Sequence, residues 1–439
     1  MNQPPKKFPL LQTALVSSAI AFTAGSYLFA PTWCRSVHAA LQDSPKTVVD
    51  EAWQVVNNEY VDGTFNKNDW QAVRQQLLKK NYTTKEQAYT AIREALGKLE
   101  DPYTRFMDPK QFQSLTNQTS GELSGVGIRL EMNEKTKAIS IVEPIENSPA
   151  FKAGVKPGDQ LVAIDGKSTK GMSLDQASGL IRGESGKQVT LKLSRQGKGI
   201  FDLRLTRAQI QLAAVRSSLK QEGNLRIGYI RLNEFSSHAS EQMSKAIKTL
   251  NDKQVNAFVL DLRGNPGGLL HASIEIGRMW MDKGAIVRTV DRRGDNEEFK
   301  ANNTALTKLP LVVLVDGNSA SASEILSGAL KDNGRAKVLG SQTFGKALVQ
   351  SVHSLSDGSG LAVTVAHYYT PNGTDINHKG VTPDIKIDLS EDQRKQLVSN
   401  PSMLATINDP QYAQAIAVLK SNPVAKPPVN QGSPSASIR

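Results

Sequence analysis

Two stretches of this chain, residues 257–262 and 311–316, are almost continuously apolar, only six residues long, and run straight into turn-forming residues. A helix needs roughly 10 residues or more, so runs this short read as strands, and strands without polar alternation are covered on both faces. Both requirements point to an α/β layout with a partly parallel sheet sandwiched by helices around one core. Apolar spacing supplies helices at 239–251, 269–281 and 319–331, and further strands at 227–230 and 336–340. Residues 350–369 read as a long hairpin turning at Asp357-Gly358.

Upstream the period changes twice. From 45 to 99 the pattern is helical: Val48, Val49, Ala52, Val55 and Val56, then Trp70, Val73, Leu77 and Leu78. Thr84 with Gln87 resembles a capping box ahead of Ala88, Ile92 and Leu96. From 121 to 207 short strands (126–132, 138–142, 162–166 and the alternating Val189, Leu191, Leu193) surround a helix at 173–182. The expected organisation is a signal or anchor in 1–40, a helical region in 41–115, a small strand-rich domain in 121–207, the α/β core in 208–400 with return of N-terminal segments, and a C-terminal helix with a disordered Pro-, Ser-, Asn- and Gln-rich tail in 401–439.

The termini and composition restrict function. Lys6 and Lys7 precede an uncharged, mostly apolar run from Leu10 to Ala30, and Val37-His38-Ala39 offers a small-residue cleavage site before Ala40. That run is close to the roughly 20 residues that span a bilayer, so a retained membrane tether through 10–30 is the alternative to cleavage. Either way the working part is expected outside the cytosol, and the scarcity of Ser and Arg at the start favours a bacterial chain over a nuclear-encoded plastid one. The single cysteine, Cys34, excludes an intrachain disulfide and a Cys-based zinc site. The net charge of +11 is spread along the chain rather than clustered with aromatics, which argues against nucleic-acid binding.

Three segments carry chemistry. Asp316-Gly317-Asn318-Ser319-Ala320-Ser321-Ala322-Ser323-Glu324 follows a buried strand and opens a helix, where free N–H groups and the dipole favour an oxyanion. By itself it is as well explained by helix capping. Gln342-Thr343-Phe344-Gly345-Lys346-Ala347-Leu348-Val349-Gln350 returns to the same end of the sheet, and burial of Lys346 between Phe344 and Leu348 would lower its pKa and make it a usable base. Asp261-Leu262-Arg263-Gly264-Asn265-Pro266-Gly267-Gly268-Leu269 is a strand end, a Gly-rich turn and a helix start; it lacks the phosphate-loop pattern.

Together the three segments resemble the C-terminal processing peptidases (carboxyl-terminal or tail-specific proteases, peptidase family S41). These are Ser/Lys serine endopeptidases with a crotonase-like α/β core, an inserted PDZ domain and an N-terminal helical region. The resemblance covers about residues 45–390 and implies Ser321 as nucleophile, Lys346 as base and Gln350 as the residue orienting Lys346. It places the oxyanion donors at the backbone N–H groups of Gly267 and Ala322. The choice of Ser321 over Ser319 and Ser323 rests on the resemblance, and Pro266 is expected to leave the Gly267 N–H available. Ala347 stands where the family usually has Gly and is expected to narrow the site or restrict its loop. Residues 121–207 resemble the PDZ domain, with Gly125, Val126, Gly127 and Ile128 as the loop that binds a substrate C-terminal carboxylate; Leu130 breaks the dinucleotide fingerprint.

The resemblance implies no cofactor or metal, protein substrates with a free C-terminus, a periplasmic or thylakoid-lumen setting, and an open oligomeric state. Maturation of a photosystem II reaction-centre protein is one activity within the family. Rival readings are a Ser-His-Asp hydrolase using His238, His271, His353, His367 or His378, and a PDZ scaffold without activity; no H-E-x-x-H supports a metallopeptidase.

Overall fold

The computed structural model describes residues 44–134 and 136–421. The proposed signal or anchor, Cys34 and the Pro-rich tail lie outside these residues. The chain opens with α1 (Pro45–Glu59), α2 (Trp70–Lys79) and α3 (Lys85–Gly97). Their apolar faces, including Val49, Val56, Val73, Ile92 and Leu96, meet in one cluster that also takes in Leu355, Leu361 and Val363. The helical region therefore shares its core with the distant hairpin. The capping box is displaced by one residue: Thr84 Oγ1 accepts the Gln87 N–H at 3.3 Å, but Gln87 Oε1 accepts from the N–H of Thr83 at 2.8 Å.

Next come β1 (Arg105–Met107), α4 (Pro109–Ser120), β2 (Glu122–Gly125), β3 (Ile128–Met132), β4 (Ile139–Pro144), α5 (Pro149–Lys152), β5 (Gln160–Ile164), β6 (Lys167–Ser168), α6 (Leu174–Ile181), β7 (Gln188–Arg195), β8 (Gly199–Thr206) and β9 (Ala208–Gln211). Strands β3-β4-β5-β7-β8 form an antiparallel sheet, with β6 added at β5. Ile139, Ile141, Leu161, Ile164, Leu191 and Leu193 pack with Ala177 and Ile181 of α6, and along β7 the buried residues alternate with Thr190 and Lys192. β2 and β9 pair antiparallel where the chain enters and leaves this unit.

The remainder runs β10 (Val215–Glu222), β11 (Leu225–Leu232), α7 (Ala239–Asp252), β12 (Ala257–Asp261), α8 (Leu270–Trp280), β13 (Ala285–Asp291), β14 (Asn296–Lys300), β15 (Leu311–Val315), α9 (Ala322–Asp332), β16 (Lys337–Gly340), β17 (Leu348–Ser354), β18 (Gly360–Tyr369), β19 (Ile385–Lys386), α10 (Glu391–Ser399), a 3₁₀ turn (Pro401–Met403) and α11 (Pro410–Ser421). The central sheet has the order β10-β11-β12-β15-β16-β19 and is parallel from β11 onward. Phe258 and Leu260 of β12 face α7, α8 and α9, whereas Ala257 and Val259 face Tyr412, Ala415 and Ile416 of α11. Both faces are covered, which is why these strands have no polar alternation.

A second sheet carries β1, β18, β13 and β14, with β17 paired to β18. The helix read as starting at Ser319 starts at Ala322; Ser319 and Ala320 belong to the turn before it. The β13–β14 hairpin has no alternating apolar signature in the sequence, because three of the five β14 residues are charged and none is fully buried.

Candidate active site

Strands β12 and β15 are parallel neighbours, so the turns that follow them leave the sheet on the same side. The turn after β12 is held by Asn265, fully buried, whose Nδ2 donates to Leu232 O at 2.9 Å. Its carbonyl accepts from Ala320 N at 3.1 Å and from Ser323 Oγ at 3.0 Å, stitching the two turns together. Gly267 then lies against the second turn. A Cβ there, at φ +104°, would stand 2.7 Å from Ala320 O, 2.9 Å from Ser321 Cβ and 3.0 Å from Ala322 N. Only glycine fits.

The three serines of the second turn have different environments. Ser319 is fully buried and its hydroxyl donates to Leu262 O at 2.9 Å. Ser323 is also fully buried and bonded to Asn265 O. Ser321 is partly exposed, lines a cavity of about 390 Å³ and has φ +53°, ψ −115°. That backbone conformation is costly for a residue with a Cβ, on the order of 1–3 kcal/mol, and such strain concentrates at functional sites. Its Oγ donates to no acceptor among the described residues. The geometry thus distinguishes Ser321, which composition alone does not.

Lys346, Gln350 and Ala322 line the same cavity, with Tyr103, Leu348 and Tyr368. Lys346 Nζ has neither hydrogen bond nor ion pair among the described residues and lies 4.5 Å from the centre of the Tyr103 ring. Burial and then the nearby Arg105 guanidinium hold its pKa below the usual amine value, against the opposing fields of Asp101 and Glu324. The expected burial by Phe344 is wrong: that ring is 57% exposed and Tyr103 takes its place. Ala347 is fully buried in the main core, so its methyl group does not narrow the cavity. Gln350 Nε2 donates to Thr364 Oγ1 at 3.3 Å.

Two residues without an assigned role in the sequence reading hold the site together. Glu324, fully buried, accepts through Oε2 from Ser321 N (2.8 Å) and Lys346 N (2.9 Å), and through Oε1 from Gly345 N (2.7 Å) and Thr343 Oγ1 (2.6 Å). One carboxylate thereby clips the serine turn to the lysine loop. The Tyr368 hydroxyl donates to the carbonyls of Ser321 (3.2 Å) and Lys346. The Ser-x-x-Glu spacing was the one signal available for Glu324, since it is also a capping box.

Two expectations need revision or placement. The Gly267 N–H is not free: it donates to Asn265 Oδ1 at 2.9 Å, an Asx-type turn that Pro266 does not prevent. Gly125, Val126, Gly127 and Ile128 do not line the Ser321 cavity. Gly125 ends β2, Val126 and Gly127 form the link and Ile128 opens β3; in that link the Val126 carbonyl accepts from Ala150 N, and Gly127 O from Ile145 N and Ser148 Oγ. β3 begins at Ile128, is the outer strand of its sheet and packs beside α6. No histidine lines the Ser321 cavity; His238 meets Glu122, His271 meets Glu275 and His353 meets Glu59.

Residues 226–387 match the model of peptidase family S41, and residues 140–195 that of a PDZ domain. The carboxyl-terminal-processing protease of Picosynechococcus sp. is 43% identical over 370 residues, 84% of this chain and 88% of its own. That of Synechocystis sp. is 44% identical over 336 residues, 76% of this chain and 79% of its own. Among solved structures, a photosystem II D1 C-terminal processing protease is 37% identical with a TM-score of 0.53, over 84% of this chain and 99% of that one. With such identity over most of its length, the chain belongs to peptidase family S41 and is a serine peptidase carrying a PDZ domain.

Proposed function

We propose that this peptidase cuts exported proteins near their C-termini, with Ser321 as nucleophile, Lys346 as general base and Gln350 as the group that orients Lys346. The observation that carries the reading is the contrast among the serines. Ser319 and Ser323 give their hydroxyl protons to buried carbonyls, while the strained Ser321 has no acceptor for its Oγ proton among the described residues, in the cavity that Lys346 and Gln350 line.

Neutral Lys346 takes the Ser321 proton as Oγ attacks the scissile carbonyl, and the resulting ammonium passes that proton to the leaving amine. Water then cleaves the acyl-enzyme by the same base. The oxyanion forms at the start of α9, where the Ala322 N–H and the helix dipole favour it. Gly267 contributes its N–H as the second donor only by exchanging Asn265 Oδ1 for the oxyanion. Burial of Lys346 without a paired carboxylate enlarges the neutral fraction that this chemistry consumes.

In the PDZ domain, the loop from Gly125 to Ile128 receives the substrate carboxylate, and the substrate adds as a strand to the free edge of β3 beside α6. The cyanobacterial relatives are named carboxyl-terminal-processing proteases, and one solved relative is named for the photosystem II D1 protein. These names, with the signal-like N-terminus, support a periplasmic or thylakoid-lumen enzyme and make a photosystem II reaction-centre precursor a substrate to try first. The test is cleavage of a peptide with a free C-terminus by the wild type, Ser321→Ala and Lys346→Ala. Loss with both variants supports the dyad. Retained activity in a folded Ser321→Ala protein overturns it.

A further inference from the structure

Gln350 is useful to an ammonium group only if its amide presents oxygen rather than nitrogen. A chain of hydrogen bonds that passes through two buried threonines, reaching back to the turn before β1, decides which. Asp101 Oδ2 receives two hydroxyls, Thr104 Oγ1 at 2.6 Å and Thr364 Oγ1 at 2.7 Å, and Oδ1 receives the Tyr103 N–H at 2.9 Å. Thr104 and Thr364 are 4% and 1% exposed, so their hydroxyls have protein rather than water as partners. A carboxylate only accepts, and each hydroxyl has one proton to give. Both protons therefore point at Asp101. Thr104 Oγ1 then accepts the Thr364 N–H at 3.0 Å, which agrees with that polarity. Thr364 Oγ1, its proton spent, can only accept from Gln350, and it does so from Nε2 at 3.3 Å. The other end of the amide, Oε1, is left for the cavity.

We propose that Asp101 is a positioning residue for the peptidase reaction, acting through Thr364 to turn the Gln350 carbonyl oxygen toward Lys346. The inference rests on the Ser321–Lys346–Gln350 reading. Asp101 has a second connection to the same lysine, because the next residue but one, Tyr103, lies beneath its ammonium. The charged and titratable groups bearing on Lys346 are Arg105, Asp101 and Tyr103 from the segment entering β1, Glu324 from α9 and Tyr368 from β18. Asp101 is the member of that set connected by hydrogen bonds to Gln350. With asparagine in its place, Thr364 is free to donate to Gln350 Oε1, and the amide can turn its NH₂ toward the ammonium.

The experiment compares kcat, KM and the pH profile for Asp101→Asn, Thr364→Val, Thr364→Ser and the Asp101→Asn/Thr364→Val double variant. General-base catalysis contributes about 100-fold or more, so misorienting the base should cost kcat about 10-fold to 100-fold while KM changes little. The double variant should lose no more than the worse single one, as expected for one pathway. Serine at 364 should recover most of what valine loses. The rising limb of the profile should move to lower pH only in the two variants that carry Asp101→Asn, because they remove a negative charge near the amine. A mere packing defect would lower Tm without moving the limb. Wild-type kcat in folded Thr364→Val, or equal losses with serine and valine there, overturns the inference. If Gln350→Ala and Lys346→Ala are also fully active, the fault lies in the Ser/Lys reading; if they are inactive, it lies with Asp101.

Discussion

Glu324→Gln is the sharpest single test of how the site is assembled. The carboxylate accepts four hydrogen bonds and donates none. If the amide nitrogen replaces Oε2, it faces two backbone donors, Ser321 N–H and Lys346 N–H, and both bonds are lost. If it replaces Oε1, it faces Gly345 N–H and a Thr343 hydroxyl whose oxygen already accepts from Val381 N at 2.6 Å. The cheaper orientation still loses one bond to a charged acceptor, about 1.5–3 kcal/mol, and weakens the others. A net cost of about 3 kcal/mol follows, which for a cooperative unit of roughly 200 residues lowers Tm by about 6–12 °C. The lost clip joins the Ser321 turn to the Lys346 loop, and misplacement of reacting groups by about 1 Å can cost about 100-fold in rate. Circular dichroism melting and kcat/KM on a free-acid peptide measure the two effects. A Glu324→Gln enzyme with wild-type Tm and activity would refute the clip.

Three further outcomes are expected. Lys346→Arg should be nearly inactive, since guanidinium does not deprotonate; wild-type kcat/KM should rise with pH through a lysine pKa depressed by burial, because the neutral base is the form that accumulates above it. An unchanged rate in the arginine variant reopens the choice of base. Amidating a peptide's C-terminus should raise KM or lower kcat/KM if the loop at Gly125–Ile128 binds carboxylate, and equal cleavage of both forms rules that out. Gly267→Ala should lose activity about 100-fold or more, since its methyl group would displace Ser321 and occupy a φ of +104°; full activity in a folded variant would show that the turn is not packed as described.

The α/β core was legible because strands buried on both faces carry almost nothing but apolar residues: 257–261 and 311–315 are fully buried throughout. The start of α9 was not legible, because Ser319 and Ser321 are equally good cap residues by type. What separates them is a carbonyl of Leu262, more than fifty positions upstream in sequence, that takes the Ser319 hydroxyl. Phe344 was misplaced for the same reason. Phe344, Ala347 and Leu348 are the apolar residues near Lys346 in sequence, but the ring beside its amine comes from Tyr103. The helical region looked separable because its periodicity is self-sufficient, yet its core is completed by Leu361 and Val363 of β18. Local pattern reports which face of an element is buried; it does not report which remote group buries it.

The same remoteness explains why the site is built from buried carboxylates. The turns after β12 and β15 lie at the carboxyl ends of parallel strands, where α/β sheets commonly place ligands. Turns expose backbone N–H groups that cannot be buried unpaired. Glu324 satisfies three of them around the serine and lysine. At the other turn, the fully buried Asp261 binds Arg263 through both oxygens, at 2.9 and 2.7 Å. Arg263 also forks onto Asp409 at 2.9 and 2.7 Å, and Asp409 accepts the Tyr412 N–H at the start of α11. The helix that covers the far face of the sheet is thereby fastened to the glycine turn beside Ser321. A hydrophobic contact in those positions would pack as well but would leave the amides unpaired, and water would do the pairing at the cost of a loose, wet site. The carboxylates pair the backbone, and among the described residues the Ser321 Oγ proton and Lys346 Nζ are left without an acceptor.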